Sequence, residues 1–152
     1  MSSLLSVSQK CQYALRALFE LSLHYPPVSV LRVSDIARTH AIPPRFLEQI
    51  LSKMRTGGYI DSRRGNQGGY VMAVAPSEIT VGEIIRFIEG EGDSLDCMRN
   101  GGRGPCRHDS TCVFRELWQQ ARASLSTIFD ATTFQDLVDR HRLRNQALDF
   151  SI

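Results

Sequence analysis

The sequence predicts a mainly α-helical fold carrying one small β-hairpin, on three observations. Apolar residues recur at helical spacing in several separate stretches. Two short extended stretches flank a glycine-rich tip, Arg64-Gly-Asn-Gln-Gly68. The order helix, short helix, helix, hairpin occupies the first half of the chain, and a longer helical stretch follows near the C-terminus. The 152 residues are 42% hydrophobic and 22% charged, which suits one folded domain with a small appendage and argues against a disordered chain.

Each element has a local cause. Residues 8–25 form a helix because Ala14, Leu18, Leu21 and Tyr25 share one face, with Ala17 widening it, and Pro26-Pro27 stops it. A short helix over 34–40 turns Ile36 and Ala37 inward, with Ser34 as its cap. Pro43-Pro44 open a third helix, in whose first turn proline loses little; Leu47, Ile50, Leu51 and Met54 form its apolar face, and Gly57-Gly58 end it near Arg55. Strands follow over Tyr59–Arg63 and Gly69–Val74, and Gly65, Gly68 and Gly69 permit a tight hairpin between them. Thr80-Val-Gly-Glu83 is a capping-box pattern for a helix through Ile84, Ile85, Phe87 and Ile88. Residues 93–112 are rich in glycine and cysteine and have no apolar period, so something other than a core must order them, or they stay mobile. From Val113, the residues Phe114, Leu117, Ala121, Leu125 and Ile128 mark a long helix, and a short one follows over Phe134–Arg144. The expected organisation is a helix-and-hairpin domain over 1–92, a cysteine-rich loop over 93–112, and a long helix with a C-terminal tail over 113–152.

The net charge of +2 conceals an uneven distribution: residues 38–70 carry +4 and residues 71–98 carry −5. The basic segment coincides with the third helix and the hairpin, where it can meet phosphates. No apolar run approaches the roughly 18–20 residues of a membrane helix. The start Met-Ser-Ser-Leu-Leu-Ser-Val-Ser has neither the basic opening nor the small-residue cleavage pattern of a signal peptide, so the expected location is the cytoplasm and no membrane partner is expected. No phosphate-binding glycine loop, credible carboxylate pair or nucleophile–base motif is present, which argues against an enzyme.

A helix–turn–helix followed by a glycine-tipped hairpin is the order of a winged helix-turn-helix. With its apolar face anchored, the third helix turns Arg45, Glu48, Gln49, Ser52 and Lys53 outward, and such a helix enters the major groove with its first turns nearest the bases. Arg45 can donate to guanine, Gln49 can pair with adenine and Glu48 can accept from cytosine. Ser52 and Lys53 are expected on phosphate. The hairpin tip offers Arg63, Arg64, Asn66 and Gln67 to an adjacent groove or to the backbone. On the long helix, Leu117, Ala121, Leu125 and Ile128 form a stripe that a single winged helix cannot fully cover, which predicts a dimer surface.

Cysteines occupy positions 11, 97, 106 and 112, the last three as C-x8-C-x5-C. Thiolates along a flexible segment can wrap a soft metal centre: an iron–sulphur cluster, or zinc held by Cys97, Cys106, His108 and Cys112. Three free thiols are the third alternative. Cys11, alone on a helix, reads as a small buried hydrophobe. His24, His40 and His141 have no cysteine neighbours and read as surface or hydrogen-bonded histidines.

Several motifs resemble those of one family. Ser8-Gln-Lys-Cys-Gln-Tyr13-Ala-Leu-Arg-Ala-Leu18 is similar to the opening helix of the Rrf-two family of bacterial winged helix-turn-helix transcription regulators, of the IscR/NsrR/RirA-like type with a cluster-type cysteine loop. Pro43-Pro-Arg-Phe-Leu47-Glu-Gln-Ile-Leu51 resembles its recognition helix, and Arg64-Gly-Asn-Gln-Gly-Gly-Tyr70 with Ile79-Thr-Val-Gly-Glu-Ile-Ile85 resembles its wing and the following helix. The similarity runs over about residues 7–140. It implies a homodimer held by the long helix, a near-palindromic double-stranded DNA operator, Arg45, Glu48 and Gln49 on base edges, and the wing at the minor groove. It also implies an iron–sulphur cluster, 2Fe-2S or 4Fe-4S, on Cys97, Cys106 and Cys112, with DNA affinity following redox, oxygen, nitric oxide or iron status. Two departures bear on the fourth ligand: Arg115 stands where some members have a histidine, and Gln12 where others have a carboxylate. His108, Cys11 or a small exogenous ligand are the candidates. The alternative is a cofactor-free or zinc-bound regulator of the same fold, switched by cysteine oxidation or a protein partner.

Overall fold

The structure, a computed structural model, describes residues 7–90 and 112–149. Six helices and a two-stranded antiparallel sheet appear in the order α1 (Gln9–Leu23), α2 (Val33–His40), α3 (Pro44–Thr56), β1 (Ile60–Arg63), β2 (Gly69–Met72), a 3-10 turn (Pro76–Glu78), α4 (Val81–Glu89), α5 (Phe114–Ala131) and α6 (Phe134–Asp149). The predicted fold, mainly helical with a small hairpin, is the one observed.

Helix α1 is the hub. Ser8 caps it, its Oγ accepting from the Cys11 N–H at 3.1 Å. Its buried face, Cys11, Ala14, Ala17, Leu18 and Leu21, is rich in small side chains, so the helices around it approach closely; α2, α3, α4, α6 and β2 all pack on it. Helix α2 begins one residue before the expected cap. Arg32 occupies the N-cap with no side-chain hydrogen bond, and Ser34 lies within the first turn. The turn into α3 is made by Ala41 in the left-handed region, φ 52 and ψ 43. The Ile42 N–H donates to the Ala37 carbonyl at 2.9 Å and the Ala41 N–H to that of Arg38 at 3.4 Å, while Ile42 itself is buried. This is a Schellman closure with its apolar contact, and it sets the angle between the two helices. Pro44 then opens α3, which plants Leu47, Ile50, Leu51 and Met54 in the core.

The hairpin pairs Ile60 with Met72 and Arg63 with Gly69. Leu31, in the connection before α2, adds a single antiparallel bridge to Tyr70 with hydrogen bonds of 3.0 and 2.8 Å. Thr80 caps α4 as expected, accepting from the Glu83 N–H at 3.2 Å. The Glu83 carboxylate accepts from the Tyr59 hydroxyl at 2.9 Å and so ties α4 to the base of the hairpin.

The C-terminal helices differ from each other in kind. Helix α5 has 18 residues and none is buried. Helix α6 belongs to the core: Phe134 is 0% and Val138 1% exposed, and the helix lies on α1 and the 3-10 turn. It runs to Asp149, five residues past the expected end at Arg144. A reciprocal cap starts it, Thr133 N–H to Asp136 Oδ2 at 2.8 Å and Asp136 N–H to Thr133 Oγ1 at 3.1 Å. The Thr133 N–H and hydroxyl, both donating to Oδ2 at 2.8 Å, hold the Asp136 carboxyl below its ordinary range. A short ladder, Val81 N–H to Thr132 O at 2.8 Å and Phe134 N–H to Ile79 O at 3.0 Å, fastens the α5–α6 corner beside α4. No helix among the described residues is long and apolar enough to cross a membrane.

Candidate nucleic-acid interface

With four apolar residues holding α3 down, its outer face forms an open, shallow groove lined by Arg45, Glu48, Gln49, Ser52, Lys53 and Thr56. Arg45, Glu48, Gln49 and Ser52 are exposed, one turn apart along a single surface. A guanidinium donor, a carboxylate acceptor and an amide that both donates and accepts thus face outward over about one turn, which is a set able to discriminate base pairs in a major groove.

Lys53 is placed differently from its neighbours. It is half-buried, its Nζ donates to the Ile88 carbonyl at 3.1 Å, and the ammonium stands 5.4 Å from the centre of the Phe87 ring. Phe46, 39% exposed in the first turn of α3, rests edge-on against Tyr13 with ring centres 5.8 Å apart.

The hairpin tip brings Arg63, Arg64, Asn66 and Gln67 to the surface, all exposed. Gly65 has φ +124, a conformation that side chains rarely adopt. A Cβ at Gly69 would collide with the Leu31 carbonyl, so only glycine allows the Leu31–Tyr70 bridge that steadies the hairpin next to its tip. Arg55, which the sequence reading did not single out, donates from Nη1 to Ser62 Oγ at 3.0 Å and links α3 to β1. Glu20 on α1 accepts from or pairs with His40 of α2 at 2.9 Å and lies 3.6 Å from His24. His141 packs edge-on against Phe19. The three histidines are surface or partnered groups, in line with the sequence reading.

Of the cysteines, Cys11 and Cys112 are described, and both are free thiols. Cys97, Cys106 and His108 lie outside the described residues, as does most of the glycine-rich segment 93–112. Cys112 is half-exposed just before α5, where its carbonyl accepts from the Arg115 N–H at 3.2 Å. Cys11 is fully buried, and burial, with the Glu89 carboxylate adding to it, pushes its thiol from 9.0 up to about 12. Burial and the hydrogen bond to Glu83 likewise push Tyr59 from 10.0 up to about 12. Both groups hold their protons more tightly in the folded chain. Their contribution to stability is therefore complete below about pH 9 for Cys11 and pH 10 for Tyr59, and it is lost as pH rises towards 12. The denaturant midpoint should fall between pH 9 and 11, and less steeply in Cys11→Ala and Tyr59→Phe, which lack the titrating groups.

A helix-turn-helix with an exposed polar face on its second helix and an arginine-tipped wing has the features of a DNA-binding module. Comparison with known proteins gives the family. The Rrf2 family profile, described as iron-dependent transcriptional regulators, matches residues 7–140. CymR of Bacillus subtilis, an HTH-type transcriptional regulator, is 33% identical over 135 residues, which cover 88% of this chain and 89% of CymR. IscR of Aliivibrio salmonicida, also an HTH-type transcriptional regulator, is 29% identical over 134 residues, covering 88% and 77%. Among solved structures, CymR of B. subtilis, called the global cysteine regulator of that organism, superposes with a TM-score of 0.72 at 31% identity over 90% of this chain and 98% of CymR. IscR of T. potens gives a TM-score of 0.71 at 28% identity, covering 90% and 88%. The chain belongs to the Rrf2 family of transcriptional regulators.

Proposed function

We propose that the chain is a homodimeric, sequence-specific regulator that reads a near-palindromic operator and whose affinity is set by an iron–sulphur cluster on Cys97, Cys106 and Cys112. The observation that carries the DNA part is the outer face of α3, where Arg45, Glu48 and Gln49 stand free above four fully buried anchors. These three side chains read base edges, Ser52 meets phosphate, and Arg63, Arg64, Asn66 and Gln67 follow the adjacent minor groove. The dimer is supported by α5, whose exposed apolar residues include Phe114, Leu117 and Ile128, with exposed Val113 just before it; Ala121 is exposed beside them and Leu125 half-buried.

The donor set fits a cluster. Three thiols in a segment with glycines and a proline match a soft iron centre, and Cys112 presents one of them at the entrance to α5 without a disulfide partner. When bound, the cluster supplies a thiolate-held centre that oxidants, nitric oxide or iron scarcity can change. Cys112 then links the ligand segment directly to the helix that carries the dimer surface. Cys11 serves the core, which leaves His108 or an exogenous group as fourth ligand.

A second reading is favoured by the similarity to CymR: a regulator of this fold that senses through cysteine chemistry without a cluster. Iron and acid-labile sulphide in anaerobically purified protein separate the two. The cluster reading expects both, and expects Cys97→Ser, Cys106→Ser and Cys112→Ser each to lose them; a colourless, iron-free preparation supports the second reading.

The interface is tested on duplexes selected from a randomised pool. Arg45→Ala and Gln49→Ala should each relax preference at one base position by about 1–3 kcal/mol. Arg64→Ala should weaken binding to all sequences alike and lower the slope of log affinity against log salt by about 1. Unchanged base preference in Arg45→Ala contradicts the assignment of α3.

A further inference from the structure

Lys53 lies at the edge of the α3 groove, yet its charge is directed into the protein. Its Nζ donates to the Ile88 carbonyl at 3.1 Å while the ammonium lies over Phe87, 5.4 Å from the ring centre. Ile88 is in the last turn of α4, where carbonyls lack helical partners and carry the negative end of the helix dipole. A lysine there satisfies an orphan acceptor, complements the dipole and gains from the ring.

We propose that Lys53 is a positioning residue that locks the recognition helix to the last turn of α4, and is not a phosphate contact. The consequence follows from what else α4 holds. Glu89 accepts from the Ser8 N–H at 2.7 Å and so grips the start of α1. Arg86 pairs with Asp130 of α5 at 2.8 Å. Helix α4 is therefore fastened to the helix bearing the dimer surface and, through Lys53, to the helix bearing the base-reading side chains. A single helix between them fixes the orientation of α3 relative to α5, which a symmetric pair of recognition helices requires if both are to meet their half-sites. The inference rests on the reading of α3 as the base-reading helix.

The test uses the full chain and two variants. Lys53→Met keeps an unbranched apolar side chain of similar length and removes the charge and donor; Lys53→Arg keeps both. Affinity for a selected operator duplex is titrated across a salt series, and amide hydrogen exchange of Gly90, whose N–H donates to Arg86 O in the same turn of α4, is followed in the DNA-free protein. Lys53→Met should bind the operator about tenfold more weakly, with an unchanged salt slope, and its Gly90 amide should exchange faster. Lys53→Arg should restore both. A salt slope lower by about 1 in Lys53→Met identifies a phosphate contact and overturns the proposal, as does Gly90 exchange equal to wild type. Because the exchange is read without DNA, it decides the Lys53 link even if the wild-type chain selects no duplex, a result that would count against the interface reading alone.

Discussion

Leu117→Glu should convert the proposed dimer to monomers and abolish operator binding. Leu117 is 52% exposed in the isolated chain, in the first turn of an 18-residue helix with no buried residue, so a carboxylate there leaves the chain's own core untouched. In a two-fold interface the same substitution occurs twice, and burying an unpaired charge costs several kcal/mol for each ion. Few dimers of this size survive such a loss at micromolar concentration. Light scattering or analytical ultracentrifugation reads the mass directly. A stable dimer in Leu117→Glu assigns dimerisation to another surface. Ile128, 59% exposed towards the other end of α5, provides the control: Ile128→Glu should act in the same direction if the whole stripe is covered.

Phe134→Ala should cost about 3–5 kcal/mol, which is a large part of the stability of an ordinary domain. Phe134 is fully buried in the same core as Leu18, Leu47 and Ile84, so its removal leaves a cavity at the junction of α6 with the rest of the fold. Its N–H also donates to the Ile79 carbonyl, which keeps the backbone in place around the missing ring and limits collapse into the void. Chemical denaturation measures the loss. A cost below about 1 kcal/mol would place α6 outside the cooperative core.

The contrast between α5 and α6 shows what the sequence could and could not convey. The stripe on α5 was legible because periodicity reports an apolar face whatever covers it. Helix α6 was legible as far as Arg144, with Phe134 and Val138 spaced four apart and buried; beyond Val138 its residues are exposed or half-buried, and good helix formers rather than packing carry it on to Asp149. The exposed face of α3 followed from the spacing of Leu47, Ile50, Leu51 and Met54, since fixing the buried side fixes the opposite one. Lys53 did not follow. Its partner is a backbone carbonyl 35 residues away, and no local pattern encodes that contact. The links between Tyr59 and Glu83, and between Glu20 and His40, are long-range in the same way. Cys11 was readable as core, because it continues the spacing of Ala14, Leu18 and Leu21 by one further turn. Ser34 misled because a good capping residue stood one turn before buried Ala37, while the bridge of Leu31 to Tyr70 fixes the chain just ahead of α2.

Control of DNA affinity by the cysteine-bound cluster is the central claim, and one measurement tests it most directly. The anaerobically purified, iron-loaded chain and the same chain stripped of iron are titrated by fluorescence anisotropy against one selected duplex at one salt concentration. The two affinities should differ by at least about fivefold, the lower end of ordinary coupling between a ligand and a distant site, and the difference should vanish in Cys112→Ser. Equal affinities for the iron-loaded and iron-free chains would contradict the claim.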